Sequence, residues 1–379
     1  MVATTSTATS ELILSPVVEV DTPALIVSEE ILHRNIAGMA SFANSVGVNL
    51  RPHIKTHKTP QIARLQIAAG AVGVTCAKVG EAEVMVNEAG VQDVLLAYPI
   101  IGEPKYRRIV ALMEKARIAI ALDSREAATM LNEAMARHDR TIDVYVEVNT
   151  GQNRSGVMAG DEAVKFALEV ARHPNLRLTG IMTHEGHVSS VDPAEIEAKA
   201  REAGEKMVET AEKIRKHGIE LPTVSVGSTP AARFTPLVKG ITEARPGTYV
   251  FNDNSLFRYG THWGVDDCAA RFVATVVSRP AEDRAVLDTG SKSLAMDPSK
   301  SHPGHGYIVG HPDVIITKLS EEHGVCQLPA GEEGFNVGDR VEIIPNHVCP
   351  TINLQDEMQI VRDGKIVDTW KIAARGKVR

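Results

Sequence analysis

The chain has 379 residues, of which 43% are hydrophobic and 23% are charged, and these proportions are typical of a globular protein. Its 41 lysine and arginine residues against 48 aspartate and glutamate residues give a net charge of −7, which argues against general nucleic-acid binding. No apolar run is long enough to cross a membrane, and residues 1–16 lack the basic start of a signal peptide. The four cysteines have no framework spacing, which indicates free thiols in a reducing compartment, so we expect a cytoplasmic protein with a frayed N-terminal segment.

Strand and helix patterns alternate along the first 250 residues. After a strand at 23–28 and a helix at 29–46, apolar runs predict strands at 48–52, 73–76, 93–97, 118–122, 142–148, 178–183, 223–227 and 243–251. Apolar residues at helical spacing predict helices at 81–89, 106–115, 124–138, 161–172 and 193–217. Eight strand–helix units favour an α/β fold with a TIM-type (β/α)8 barrel as its N-terminal domain. The strand at 23–28 is surplus to this barrel, and its alternative partner is the C-terminal region.

Beyond residue 254 the pattern changes to short alternating strands separated by Gly, Pro and Asp. The runs lie at 270–278, 284–287, 314–319, 340–344, 358–362 and 365–372. No long helical pattern remains, which predicts an all-β C-terminal domain. We therefore expect a barrel domain at 25–258 and a β domain at 259–379, to which the N-terminal segment 1–24 is added.

The stretch from Arg51 to Lys58 has an unusual concentration of basic residues. Five of its eight residues can carry a positive charge: Arg51, His53, Lys55, His57 and Lys58. Their alternation with Ile and Thr predicts a strand that presents every second side chain to one face. Positive neighbours favour the uncharged form of a lysine, which forms a Schiff base with a carbonyl, and the cluster would also attract an anion such as a phosphate ester. A solvated basic loop is the alternative interpretation.

Polar residues follow four of the later barrel strands, where the functional residues of such barrels collect. In chain order they are Arg154, then His184 and His187, then Gly227, Ser228 and Thr229, and finally Arg245, Gly247 and Tyr249. The Gly-Ser-Thr run precedes Ala-rich sequence that predicts a helix, so its amides and hydroxyls form a candidate phosphate cradle at a helix N-terminus. Taken alone, such a run is more often a turn with an N-cap.

A histidine and a cysteine stand two residues apart in the stretch from Ile344 to Pro350. On an extended segment His347 and Cys349 would point to the same side, and an imidazole with a thiolate suits zinc or a similar divalent ion. Two protein ligands leave positions open for water and substrate, whereas a buried cysteine beside a histidine in a turn is the alternative. Two other clusters, 288–292 and the segment 320–324 that contains His323, are either turns or parts of the same site.

Together these motifs resemble the fold-type III pyridoxal-phosphate enzymes, the alanine-racemase-like group, and within it the metal-dependent D-threonine aldolase and D-serine dehydratase family. The segments that carry the resemblance are 21–25, 51–58, 183–187, 246–249, 320–324 and 345–351. The resemblance implies a barrel that binds pyridoxal 5'-phosphate, a β domain that binds a divalent metal (Mn²⁺, Mg²⁺ or Zn²⁺), and a homodimer that acts on a D-β-hydroxy-α-amino acid.

The resemblance also implies a role for each candidate residue. Lys55 would be the Schiff-base lysine, Arg154 would lie near the phenolic oxygen of the cofactor, and His184 would lie against its pyridine ring. Arg245 aligns with a residue that faces the pyridine nitrogen in racemases. The residues expected at the phosphate are Gly227, Ser228, Thr229, Gly247 and Tyr249, those at the metal are His347 and Cys349, and the candidate bases are His57, His187 and His323.

The resemblance favours a D-threonine aldolase, which would break the Cα–Cβ bond after a base takes the hydroxyl proton. The alternative is a zinc-dependent dehydratase of D-serine or D-threo-3-hydroxyaspartate, in which Lys55 would remove the Cα proton. The His-x-Cys form of the metal motif is similar to the dehydratases, since some aldolases carry Asp at the position of Cys349. An amino-acid racemase is the second enzyme class, but it needs two opposed bases and no metal. A non-catalytic cofactor carrier is the third hypothesis, against which the full β domain with its own metal motif argues.

Overall fold

The computed structural model describes residues 20–258, 263–299 and 302–379. The segment expected to be frayed, 1–16, lies outside these ranges. The described chain divides into two compact units: one contains His33–Val250 and Lys371–Arg379, and the other contains 20–32, Phe251–Arg258, 263–299 and 302–370. No helix in the described ranges is long and apolar enough to span a membrane. The chain opens with strand β1 (Ala24–Ser28) and helix α1 (Glu29–Ser45).

The first unit is an eight-stranded parallel barrel. Its strands are β2 (Asn49–Leu50), β3 (Val74–Cys76), β4 (Asp93–Leu96), β5 (Arg117–Leu122), β6 (Ile142–Asn149), β8 (Leu176–Met182), β9 (Thr223–Val226) and β10 (Glu243–Ala244), and the short β7 (Val157–Met158) pairs with β6. They are ordered β2-β10-β9-β8-β6-β5-β4-β3. Hydrogen bonds from the Val72 amide to the Leu50 carbonyl and from the Thr75 amide to the Pro52 carbonyl close the barrel. The predicted (β/α)8 architecture is therefore confirmed.

The helices of this unit surround the strands. They are α2 (Pro60–Ala68), α3 (Val79–Ala89), α4 (Glu103–Met113), α5 (Arg125–Arg137), α6 (Asp161–Val170) and α7 (Pro193–Arg215). Side chains at N-caps fix two of their starts, since Ser124 accepts a hydrogen bond from the Ala127 amide and Asp192 accepts one from the Ala194 amide.

Strand β6 shows how the alternation of side chains builds the barrel. Val144 and Val146 belong to the apolar cluster that includes helix residues. Tyr145 belongs to a separate small cluster with residues of β4, β5 and β8, namely Leu95, Ala119, Ala121 and Met182. Successive residues of a strand face opposite sides of the sheet, so polar residues of β6 in register with Tyr145, such as Glu147, share its side.

The second unit consists mainly of strands. They are β1, β11 (Ala270–Ala281), β12 (Arg284–Leu287), β13 (Tyr307–Ile308), β14 (Ile315–Leu319), β15 (Gly324–Gln327), β16 (Arg340–Ile344), β17 (Glu357–Arg362) and β18 (Lys365–Lys371), with short helices α8 (Asn254–Arg258), α9 (Ser291–Leu294) and α10 (Val348–Leu354). Strand β1, the surplus strand of the sequence pattern, pairs antiparallel with β11 and parallel with β17. The mostly-strand character expected for the C-terminal region is confirmed.

Three local predictions are wrong, and a proline explains two of them. The last barrel strand, expected at 243–251, ends at Ala244, because Pro246 has no N–H for the ladder, and Thr248–Val250 is a 3-10 helix instead. The Ala-rich run after Thr229 forms turns and the 3-10 helix Thr235–Leu237. Pro236 lacks the N–H that an α-helix through this run would need.

The basic stretch after β2 is a turn and not the predicted strand. Only His53 forms a bridge, to Thr75. The carbonyl of Ile54 then accepts hydrogen bonds from the amides of both His57 and Lys58, which reverses the chain. The side chains of the stretch therefore do not share one face.

Candidate active site

A cavity of about 450 Å³ lies at the C-terminal ends of the barrel strands. Five residues selected from the sequence line it together: Lys55, Arg154, His184, Gly227 and Arg245. The lining also includes residues that the sequence interpretation did not select, among them Tyr98, Glu147, Ser155 and Met182. The alternation along β6 could have indicated Glu147, because it lies in register with other inward residues of a strand that is buried on both sides.

The basic residues around Lys55 are separated by their partners. Arg51 forms ion pairs with Glu243 (2.7 Å) and Asp93 (2.6 Å), and Lys58 forms one with Glu81 (3.0 Å). Burial lowers the pKa of His53 and of His57. The basic residues therefore do not act as one cluster of cations, and Lys55 is the lysine that lines the cavity in the described part of the chain.

His184 is held as a neutral imidazole. Its Nδ1 lies 2.5 Å from the carbonyl oxygen of Gly227, and because a carbonyl only accepts, Nδ1 carries the proton and donates it. Burial, with the nearby charge of Lys55, lowers the pKa of His184 to about 3. Its Nε2 is therefore unprotonated at neutral pH.

Arg245 and Arg154 bring positive charge to the cavity from different settings. Arg245 is buried, and it donates hydrogen bonds to the Ser225 hydroxyl and, at 2.6 Å, to the Thr183 carbonyl. Burial lowers its pKa. Arg154 is more than half exposed, and its nearest guanidinium nitrogen lies 3.9 Å from the carboxylate of Glu147, whose pKa is raised by burial.

The Gly-Ser-Thr segment after β9 and the Pro-Gly-Thr segment after β10 lie side by side. The hydroxyl of Thr229 accepts hydrogen bonds from the amides of Gly247 (3.3 Å) and Thr248 (3.0 Å). A Cβ on Gly247 would lie 3.0 Å from the His53 carbonyl oxygen, so only glycine fits without a shift. The backbone amides of Ser228 and Thr229 have no hydrogen-bond acceptor among the described residues. Such adjacent amides, with a lysine and two arginines in the neighbouring cavity, fit a phosphate-bearing carbonyl compound such as pyridoxal phosphate.

Tyr249 and His57 are buried and do not line the cavity. The backbone amide of Thr59 donates a hydrogen bond to His57 Nδ1 (3.1 Å), and His57 Nε2 lies 3.2 Å from the side-chain oxygen Oε1 of Gln66. The side-chain nitrogen Nε2 of Gln66 donates to the Tyr249 hydroxyl (3.0 Å). Burial lowers the pKa of His57 to about 3 and raises that of Tyr249. Because both ring nitrogens of His57 have partners, we do not retain it as a base.

The two remaining candidate bases differ in setting. The ring of His187 packs over Gly151, where a Cβ would lie 2.8 Å from Nε2. Its Nδ1 is buried and has no hydrogen-bond partner among the described residues, and burial together with the charge of Lys206 lowers its pKa. His323 belongs to the other unit, where it is exposed in the turn between β14 and β15.

His347 and Cys349 are neighbours, although not on the extended segment that the sequence predicts. His347 is the N-cap of α10 and Cys349 lies in its first turn. Burial lowers the pKa of His347, but the hydrogen bond and charge of Cys349, the charge of Asp253 and the hydrogen bond of Asp297 raise it to about 10. Imidazole and thiolate suit zinc. No group of three or more His, Cys, Asp or Glu side chains able to hold a metal occurs in the described ranges.

The chain is similar to known proteins along almost its whole length. The model of the alanine racemase N-terminal domain matches residues 27–255, and that of a serine dehydratase domain matches residues 269–361. The chain is 35% identical to the D-threonine aldolase of Arthrobacter sp., over 95% of this chain and 94% of that protein. It is 32% identical to the D-threo-3-hydroxyaspartate dehydratase of Delftia sp., over 93% of this chain and 97% of that protein.

A solved structure gives the same result. The crystal structure of D-threonine aldolase from Filomicrobium marinum is 37% identical, superimposes with a TM-score of 0.88, and covers 95% of this chain and 97% of that one. The similarity therefore extends over both units and not only over the barrel. The chain belongs to the D-threonine aldolase and D-serine dehydratase family of alanine-racemase-like, fold-type III pyridoxal-phosphate enzymes, and it is a lyase of that family.

Proposed function

We propose that this lyase is a pyridoxal-phosphate- and divalent-metal-dependent aldolase that cleaves D-threonine into glycine and acetaldehyde. The observation that carries the proposal is the single cavity that joins Lys55 to His184, Arg154 and Arg245 at the C-terminal ends of the barrel strands. The two aldolase relatives described above support the choice of reaction.

The barrel residues have distinct tasks in this proposal. Bound pyridoxal phosphate supplies an electron sink for a bond broken at Cα. Lys55 would anchor the cofactor, and the amides of Ser228 and Thr229 would donate hydrogen bonds to its phosphate. His184, neutral and fixed by the Gly227 carbonyl, provides a flat surface for the ring. Arg154 and Arg245 place positive charge near the negative charge that develops when the bond at Cα breaks. This attraction lowers the activation barrier of the reaction.

The metal and the base act on the hydroxyl of the substrate. A divalent ion on His347 and Cys349 would lower the pKa of a hydroxyl bound to it. We propose His187 as the group that takes the hydroxyl proton, because its lowered pKa keeps it neutral. A base that is already neutral at the working pH can accept a proton directly. His323 remains the second candidate, since it is exposed.

A zinc-dependent dehydratase of D-serine or D-threo-3-hydroxyaspartate is the second candidate function. Cys349 is the observation that favours it, because a thiolate ligand selects zinc over magnesium or manganese. In this version Lys55 would move the Cα proton, and the other residues would keep their tasks. A racemase is disfavoured, because it gives the His347–Cys349 pair no task.

Product analysis with D-threonine tests the proposal. The protein is incubated with pyridoxal phosphate and Mn²⁺ or Zn²⁺, before and after chelation. We expect glycine with acetaldehyde, and loss of both products after chelation. 2-Oxobutanoate with ammonia would establish the dehydratase instead, and D-serine and 3-hydroxyaspartate would then be compared. L-allo-Threonine without either product set would establish the racemase.

The proposal also covers the oligomeric state and the part of the chain that binds each cofactor. We propose a homodimer in which residues 25–258 bind pyridoxal phosphate, while 259–379 with the N-terminal segment 1–24 bind the metal. Light scattering of the purified protein measures the mass of the assembly. A mass of one chain in the active state would contradict the dimer.

A further inference from the structure

The side chain of Asp297 contacts one of the two proposed metal ligands. Its Oδ2 lies 2.5 Å from Nδ1 of His347. Because a carboxylate accepts and does not donate, Nδ1 is the protonated ring nitrogen. Nε2, on the opposite edge of the ring, is thereby directed away from Asp297, and a cation that binds there would displace any proton that Nε2 carries.

The backbone of Asp297 is itself fixed beside this histidine. The side-chain amide of Asn346, the residue before His347, donates to the carbonyl of Asp297 (3.2 Å) and to that of Gly304 (2.9 Å). The side-chain oxygen of Asn346 accepts a hydrogen bond from Asn254 (2.7 Å). Asn346 is buried, so its geometry is determined by these three contacts. Asp297 is thus held against His347 through the main chain as well as through its own carboxylate.

A second carboxylate fixes the start of the helix that carries the cysteine. Asp253 is buried, and its two oxygens accept hydrogen bonds from the amides of Val348 (3.1 Å) and Leu256 (3.0 Å). The hydroxyl of Thr351 donates to the carbonyl of His347 (3.0 Å). These contacts fix the backbone between His347 and Cys349, and the ring orientation of His347 is the remaining freedom that a contact must remove.

We propose that Asp297 is a positioning residue of the metal site, which fixes the Nδ1–H tautomer and the ring orientation of His347 so that Nε2 binds the divalent cation. This inference rests on the proposed metal-dependent function. We assign Asp297 as a partner of the histidine and not as a ligand, because its Oδ2 contacts Nδ1 of the ring. Carboxylates that accept from a metal-binding histidine contribute about 10- to 100-fold to metal affinity.

Zinc titration of the full-length protein with bound pyridoxal phosphate, in competition with a chromophoric chelator, tests the inference. We expect Asp297→Ala to weaken zinc binding about 10- to 100-fold. Asp297→Asn keeps an acceptor oxygen but removes the charge, so it separates the contribution of the hydrogen bond from that of the negative charge. His347→Ala is the reference for loss of a ligand. Asp313→Asn is the matched control, because it removes an exposed carboxylate of the same unit that makes no side-chain hydrogen bond in the described ranges.

The outcomes separate this inference from the proposed function. If His347→Ala loses zinc while both Asp297 variants bind it within twofold of the wild type, Asp297 does not position the histidine. If His347→Ala binds zinc as the wild type does, the metal site itself is wrong, and the inference is wrong with it. Thermal unfolding in excess chelator should be the same for the wild type and Asp297→Asn, whereas the stabilisation by added zinc should be smaller in the variant. A purely structural role would lower the melting temperature in chelator as well.

Discussion

Lys55 differs from Arg51 and Lys58, the other permanently charged residues of its segment, in lining the cavity. Arg51 and Lys58 are bound to buried carboxylates, whereas Lys55 lines the cavity. We therefore predict that Lys55→Ala abolishes the visible absorption that pyridoxal phosphate acquires when it is joined to a protein lysine. Absorption spectra of the purified variant with added cofactor measure this.

Lys58→Met is the matched control for that measurement. It removes a neighbouring lysine whose ammonium lies 3.0 Å from the Glu81 carboxylate, and it should keep the absorption band. The reverse result, a band retained in Lys55→Ala and lost in Lys58→Met, would make Lys58 the anchor.

Because the imidazole of His57 is buried, we expect it to make the stability of the folded protein fall at acid pH. Its pKa is lowered from 6.5 to about 3 in the folded state because burial disfavours the charged ring. Between these two values the unfolded chain binds one more proton, so stability is lost as the pH falls below about 6.5. At pH 5 the loss from this one group is about 2 kcal/mol. His57→Gln should therefore lose about 2 kcal/mol less than the wild type when the pH is lowered from 7 to 5.

Urea unfolding at several pH values measures this difference. The pKa of His184 is lowered as well. His184 is present in both proteins, so its contribution cancels in the difference between them. The control is His323→Gln, because an exposed histidine is solvated in both states. Equal pH slopes for His57→Gln and the wild type would show that His57 can be protonated in the folded protein.

At the scale of elements, ion pairs connect the starts of several barrel strands. Arg51, after β2, joins Glu243 of β10 to Asp93 of β4. The opposite oxygen of Glu243 accepts a hydrogen bond from Ser225 of β9 (2.6 Å), and the Ser225 hydroxyl accepts one from Arg245. This chain of contacts reaches from the interior of the barrel to a cation that lines the cavity.

Removal of one member of this network should destabilise the barrel strongly. Arg51→Met leaves Glu243 charged, buried and without its cation, which costs about 3–5 kcal/mol. Neutralising the acid as well, in Arg51→Met with Glu243→Gln, should recover part of the loss, because no unpaired charge then remains. Urea unfolding of the four proteins of this double-mutant cycle gives the coupling energy.

The matched control for this cycle is an exposed pair. Arg201 and Glu197 form an i,i+4 pair on α7 with both side chains about half exposed, and such pairs contribute less than about 1 kcal/mol. Arg201→Met should therefore have a small effect. A loss for Arg51→Met as small as that for Arg201→Met would mean that water reaches Glu243.

At the scale of the whole molecule, the sequence predicts the repeating elements well, because their pattern is local. The apolar alternation of β6 and the helical spacing of α7 depend only on residues within one element. The turn at Ile54 has no such pattern, since it depends on a carbonyl that accepts two hydrogen bonds. The contact between Asp297 and His347 joins residues 50 positions apart, and nothing in the sequence around Asp297 indicates it. The candidate site is therefore predictable where it follows strand ends, and not where separate loops meet.

The two units provide separate chemical groups, and substitutions should separate them. Cys349→Ala removes a proposed ligand from one unit, and we expect it to lower metal-dependent turnover by at least about tenfold, since even partners of metal ligands contribute this much. The absorption band of the cofactor on Lys55, in the other unit, should stay intact. Conversely, Lys55→Ala should lose the band and keep its affinity for zinc.

Cys326→Ala, which removes a buried cysteine of β15, is the control for the loss of a thiol and should retain turnover. Turnover that is unchanged in Cys349→Ala, and in the wild type in metal-free buffer, would remove the metal from the mechanism and leave the cavity of the barrel as the whole active site.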